Sequence, residues 1–144
     1  MESGLLHLHS FMRWIILFFL LIALLQAFSK KPGLKKTSLW LLISAHITLL
    51  IGLYQYFTGA FGYKLIQDNG FAAVMKDSAL RFWAVEHITG MLIAIILITV
   101  ARPKAKSGGY GAASWLYLFA LIIIIAVVPW PFREVIGRPW FPGL

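Results

Sequence analysis

Four apolar runs, each about as long as a bilayer is thick, constrain this chain more than any other feature of its sequence. A membrane-spanning α-helix needs roughly 20 consecutive, mostly apolar residues. The sequence meets this requirement at about residues 5–28, 38–58, 79–101 and 113–128. Only 12% of the residues are charged, against about 25% in soluble domains. The pattern predicts an all-α membrane protein, in which one domain, residues 1–144, forms a four-transmembrane-helix bundle of up-and-down topology.

The charged residues predict how this bundle is oriented. The first and third connections between the apolar runs are basic and contain no acid: Lys30, Lys31, Lys35, Lys36, Arg102, Lys104 and Lys106. Because short basic loops stay on the cytoplasmic side, both termini and the loop at 59–78 are expected on the outer side. This topology also accounts for the net charge of +8, so the charge does not indicate a nucleic-acid partner. Ser38, which begins the second run, and Ser78, just before the third, are the expected N-caps of their helices.

Several kinds of chemistry are excluded by composition and motif. The chain has no cysteine, which rules out disulfides, thiolate metal sites and haem attached through thioethers. The sequence also lacks a glycine-rich phosphate-binding motif, a paired-carboxylate arrangement and a serine–histidine–acid constellation. Hydrolysis and phosphoryl transfer are therefore not expected.

The histidines are the main functional signal. Three of the four predicted spans carry histidine, although ionisable side chains within a bilayer are costly and often functional. At the helical rise, His9, His87 and His46 lie about 6, 12 and 18 Å below the outer ends of their helices. In a square bundle the first and third spans are diagonal across the core and the second touches both, so the three imidazoles can converge. His7 points away from His9, because two residues along a helix turn by about 200°, and is expected at the membrane interface.

Two histidines at similar depth on facing helices can hold a b-type haem edge-on between apolar walls. His87 is the preferred first ligand. His9 is the preferred second ligand because its helix is diagonal across the core, and His46 is the rival. Gly90 follows His87 by one turn and is expected to open space for the macrocycle. Two alternatives stay open: three histidines can bind a transition metal such as zinc or copper, or each histidine can hydrogen-bond between helices in a non-catalytic accessory subunit.

The remaining charged side chains near the outer side have two interpretations each. The arginines are candidates for binding the haem propionates, or they snorkel and pair: Arg13, Arg81, Arg133 and Arg138. Glu86 either forms an ion pair with Arg13 or Arg81, or it serves as a proton acceptor at a quinol site or orients an imidazole. The closing segment "VVPWPFREVIGRPW" is either an aromatic belt or a lid over the site.

The segments "LHLHSFMRW", "ISAHITLLIGLYQYF", "RFWAVEHITGMLIAIILI" and "PWPFR" occur in this order. Together they resemble a family of small four-span bacterial membrane proteins labelled cytochrome B, and the resemblance covers nearly the whole chain. It implies a haem b cofactor and points to His9, His46 and His87, with Arg13, Glu86 and Arg133 nearby. The expected role is electron transfer in the bacterial inner membrane, as a subunit of a larger respiratory complex rather than a stand-alone enzyme, with quinol as one candidate donor.

Overall fold

The computed structural model describes residues 2–141, and in this part of the chain the regular structure is helical. The helices are α1 (Glu2–Phe28), α2 (Leu34–Thr58), α3 (Tyr63–Asn69), α4 (Phe71–Lys76), α5 (Ser78–Arg81), a π-helical turn (Phe82–Glu86), α6 (His87–Lys106) and α7 (Tyr110–Val127). The stretch from α5 through the π-turn to α6 runs as one membrane-length segment, Ser78–Lys106.

The four long segments form an up-and-down bundle of square cross-section. Each is long and apolar enough to cross a membrane. Helix α1 packs against α2 and α7, and α6 packs against the same two helices, so α1 and α6 are diagonal across the core. The prediction of an all-α, four-helix membrane bundle is confirmed.

The bundle buries mainly small and branched side chains, with Tyr117 and Phe82 as large exceptions, and it turns many large apolar side chains outward. Leu20, Leu41 and Ala94 have no exposed surface, whereas Phe18 and Leu25 are 60% and 65% exposed. Exposed apolar area on this scale is unfavourable in water and neutral in hydrocarbon, where lipid chains cover it. The outward-facing side chains therefore indicate a multi-pass protein that contacts lipid directly.

The helix ends differ in detail from those expected. Helix α2 begins at Leu34, so Ser38 lies inside it and donates to the carbonyl of Lys35. The cap of α5 is Asp77 rather than Ser78, because the Asp77 carboxylate accepts a hydrogen bond of 2.9 Å from the Leu80 amide. Both residue types are good caps, and sequence alone did not distinguish two of them in succession. The loop at 59–78 contains two short helices, α3 and α4.

Gly90 has a different role from the one expected of it. A Cβ atom at this position would collide with Cγ1 of Val127 on α7. The missing side chain therefore lets α6 and α7 approach each other closely, and it does not open space beside His87. The expectation that Gly90 makes room for a cofactor was wrong, because the space is filled by the neighbouring helix.

Replacing Gly90 by alanine is expected to destabilise the bundle by about 1–3 kcal/mol, the usual cost of overpacking a closed contact. Gly111 is the matched control, because it also lies in a helix and a Cβ there meets no atom within 4 Å. Gly111→Ala should be neutral or stabilising by up to about 1 kcal/mol. Denaturant unfolding in detergent, followed by circular dichroism, measures both. Equal losses of stability in the two variants would contradict this account of the α6–α7 contact.

Candidate functional site

A cavity of about 370 Å³ lies inside the end of the bundle where α1 begins and α2 and α7 end, called here the terminal end. Its walls come from all four long helices and are mostly apolar, with contributions from Leu49, Met91 and Ile124. The polar side chains that line it include His9, Arg13, Thr48, Tyr56, His87 and Arg138, although most of the lining surface is apolar. An apolar cavity with a small number of polar groups is the usual form of a small-molecule or cofactor site.

His9 on α1 and His87 at the start of α6 meet in this cavity. Their ring centroids are 6.3 Å apart and the ring planes are inclined at 71°. The structure thus brings together the two histidines whose helices are diagonal across the bundle. Two imidazoles on opposite walls can supply two nitrogen ligands to a metal centre.

The His87 ring is held by the end of α7. Its Nδ1 atom lies 2.8 Å from the carbonyl oxygen of Val127, the last residue of α7. Because a carbonyl only accepts, Nδ1 carries the proton and donates, and Nε2 keeps a lone pair. The last carbonyls of a helix lack intrahelical partners, so this bond satisfies one of them. It also leaves His87 in the tautomer that can ligate a metal through Nε2.

The His9 ring is placed by a gap in α2 instead. A Cβ atom on Gly52 would lie 3.0 Å from Cε1 of His9, so the absence of a side chain at Gly52 makes room for the imidazole. The Nδ1 atom of His9 is buried and has no hydrogen-bond partner. A buried nitrogen without a hydrogen bond costs about 1–3 kcal/mol in stability. Hydrogen bonding through Nδ1 therefore does not explain why His9 occupies this position. Sequence reasoning missed Gly52, although a lone glycine within an apolar helix is a signal of close packing or function.

His46 is not part of the cavity. Its side chain is exposed on the outside of α2, and its Nδ1 atom lies 2.8 Å from the carbonyl of Leu42 in the same helix. His7 is likewise exposed. Within residues 2–141, no group of three or more histidines and acids is placed to hold a metal ion. The three-histidine arrangement considered from the sequence is therefore not formed, because α2 presents His46 away from the bundle core.

Two of the four arginines at the terminal end, Arg13 and Arg138, line the cavity. Arg13 donates from Nη2 to the carbonyl of Trp140 at 2.8 Å, which ties the closing segment to α1. Arg138, in that segment, places its guanidinium 4.8 Å from the ring centroid of Trp83. The closing segment therefore covers part of the cavity mouth with a cation. Among the described residues that line the cavity there is no carboxylate, so this mouth favours an anionic group.

The side chains of the other two arginines form bonds within the protein, away from the cavity. Arg81 forms an ion pair with Glu86, with 2.7 Å between Nε and Oε1, and donates to the carbonyl of Met75 at 2.9 Å. Arg133 donates to the carbonyl of Ala126 at 3.1 Å near the end of α7. Neither lines the cavity, so the expectation that they bind propionates does not fit their positions. For Glu86, the pairing with Arg81 is the alternative that forms.

Comparison of the chain with protein-family models, with curated proteins and with solved structures finds no match. The resemblance to cytochrome B proteins therefore remains an expectation drawn from the four sequence segments.

Replacing the two cavity histidines by leucine should change stability in opposite directions in protein prepared without haem. His87→Leu removes the donor to Val127 and leaves that carbonyl without a partner, at a cost of about 1–3 kcal/mol. His9→Leu removes a buried nitrogen that has no partner, so stability should be unchanged or higher by about 1 kcal/mol. Denaturant unfolding of both variants in one detergent measures the difference. A larger loss for His9→Leu than for His87→Leu would show that the two rings are not held as described.

Proposed function

We propose that this protein is a b-type cytochrome-like membrane protein that transfers electrons through one haem b, with His9 and His87 as its two axial ligands. The observation that carries the proposal is the distance of 6.3 Å between the two ring centroids across the cavity. Two imidazole nitrogens, each about 2 Å from one metal ion on opposite sides, place their ring centroids roughly 6 Å apart. The two histidines therefore have the separation required of two ligands on opposite sides of one iron.

The surroundings of the histidine pair suit this group. The cavity of about 370 Å³ falls within the range of roughly 300–1,000 Å³ typical of small-molecule sites. Its apolar walls match a macrocycle, and Arg13 and Arg138 supply cations for carboxylates at the mouth. Haem bound here supplies a reversible one-electron change at its iron. Ligation of His9 would also give that buried ring the fixed position that internal hydrogen bonds do not explain.

Each part of the chain has a distinct task in this proposal. The Val127 carbonyl orients His87 and increases the basicity of its free nitrogen by accepting the Nδ1 proton. The apolar side chains of α2 and α6 that line the cavity would exclude water from a bound haem and lower the dielectric around it. The arginines hold charge at the terminal end, where a redox partner approaches. Most of the chain lies within four spans, so the electron donor would be a reduced carrier dissolved in the membrane or another membrane protein. Quinol and a larger respiratory complex are the donors considered.

A second candidate function rests on the hydrogen bond between His87 and Val127. That bond joins α6 to α7 without any cofactor, as expected of a histidine that packs helices together in an accessory subunit. The two proposals differ in what they require of His9, which has no structural bond through Nδ1. Haem ligation requires this side chain, whereas helix packing does not.

The visible spectrum of the purified protein tests the proposal directly. Protein made with ample haem should show a Soret band and a sharp α-band after reduction with dithionite. His9→Ala and His87→Ala should each lose the α-band, because each removes one axial ligand. His46→Ala is the matched control: it removes an exposed imidazole from a neighbouring helix and should leave the spectrum unchanged.

Two outcomes would count against the haem proposal. A colourless wild-type protein of normal stability would favour the accessory subunit. A spectrum lost in His46→Ala but kept in His9→Ala would show that the ligands are a different pair from the one the cavity brings together.

The proposed location is the bacterial inner membrane, with both termini and the cavity on the outer side. Because the chain has no cysteine, single cysteines report the topology without background. Asp68→Cys, in α3, should react with a membrane-impermeant maleimide in intact spheroplasts, and Lys31→Cys, between α1 and α2, only after lysis. Both positions are exposed. The reverse pattern of labelling would invert the proposed topology and place the cavity on the cytoplasmic side.

A further inference from the structure

The residues just before His87 form a π-helical turn, and this turn decides where the His87 ring points. In the turn, the amide of His87 donates to the carbonyl of Phe82, five residues back, instead of four. Such a turn contains one residue more than an α-helical path of the same course. One residue corresponds to about 100° of rotation around a helix. Without the turn, His87 would be rotated about the helix axis by that angle relative to α5. Either the His87 ring would then leave the cavity or α5 would lose its present contacts.

The backbone hydrogen bonds of a π-helical turn can be supplemented by side chains from neighbouring helices. Where the ladder changes from five-residue to four-residue spacing, its hydrogen bonds are irregular, and a side-chain donor from a neighbouring helix can bond to a carbonyl there. In this protein the carbonyl of Ala84, in the middle of the turn, accepts a hydrogen bond of 2.8 Å from the hydroxyl of Tyr56 on α2. Ala84 itself is buried, so the donor comes from a neighbouring helix at a place where water has little access.

The face of α2 that carries Tyr56 also contacts His9, the other proposed ligand. Tyr56 follows Gly52 by four residues, which places the two on one face of the helix, and both line the cavity. Gly52 makes room for the His9 ring, and Tyr56 bonds to the turn that precedes His87. Helix α2 thus contacts the His9 ring and the turn that precedes His87, although its own histidine, His46, points outward.

We propose that Tyr56 is a positioning residue: its hydroxyl holds the π-turn at Phe82–Glu86 and thereby aims His87 into the cavity. The inference deepens the proposed function and rests on it as far as the haem is concerned. The part that concerns His87 and the turn does not depend on haem. The ion pair between Arg81 and Glu86 spans the turn from the outside, so the turn is held from both sides.

The test compares Tyr56→Phe with Tyr63→Phe. The control removes a phenol hydroxyl from α3 at the same end of the bundle, and Tyr63 is 42% exposed. In protein without haem, Tyr56→Phe should increase amide hydrogen exchange in residues 82–88 and leave residues 113–120 of α7 unchanged. In protein with haem, it should shift the midpoint potential and speed haem transfer to apomyoglobin on the order of 2- to 10-fold, the equivalent of one hydrogen bond. Haem content per chain should stay at the wild-type level.

The outcomes separate this inference from the haem proposal. Unchanged exchange at 82–88 in Tyr56→Phe, or an equal increase in α7, would overturn the positioning role, since the hydroxyl would then be dispensable or only of general structural use. A wild-type protein without a Soret band would overturn the haem proposal. If local exchange still rose in that protein, Tyr56 would stand as the residue that orients His87. A shift in potential as large in Tyr63→Phe would also contradict the inference.

Discussion

The hydrogen bond from the His87 ring to the carbonyl of Val127 is the interaction on which the terminal end of the bundle depends. It satisfies a carbonyl that helix α7 cannot satisfy itself, and it joins two helices that are already in close contact at Gly90. The same bond fixes the ring orientation and leaves the second nitrogen free to bind a metal. One contact therefore stabilises the fold and prepares a functional group, which explains why an ionisable residue is tolerated at this depth.

On the opposite wall of the cavity, formed by α1, no hydrogen bond of this kind within residues 2–141 satisfies the buried polar atoms. His9 has a buried nitrogen without a partner, and so has Arg13, at its Nε atom. Most buried polar atoms in native proteins are paired, and the exceptions concentrate where function outweighs stability. Both of these residues line the cavity. Among the described residues, two of the four buried polar atoms without a partner thus belong to side chains that an added ligand in the cavity can reach. The other two, Gln26 Oε1 and the Tyr117 hydroxyl, belong to residues that do not line it.

The sequence predicted the number, kind and arrangement of the spans, because length and hydropathy determine what crosses a bilayer. The pairing of Glu86 with Arg81 was one of its alternatives. The sequence could not predict the outward direction of His46 or the contact made by Gly90, since both depend on how far each helix is rotated about its axis. A period of 3.6 residues does not give that rotation when nearly every position is apolar. The π-turn shifts the register by one residue, and hydropathy contains no sign of it. The roles of Gly52 and Tyr56 follow from these rotations and were missed for the same reason.

The central claim is that His9 and His87 together ligate one iron, and the most direct measurement is low-temperature electron paramagnetic resonance of the oxidised protein. Two axial imidazoles impose a strong ligand field, so the account predicts a low-spin ferric signal that integrates to about one iron per chain. A dominant high-spin signal would mean that only one of the two rings binds the iron. The absence of a ferric signal in protein made with ample haem would contradict the claim outright.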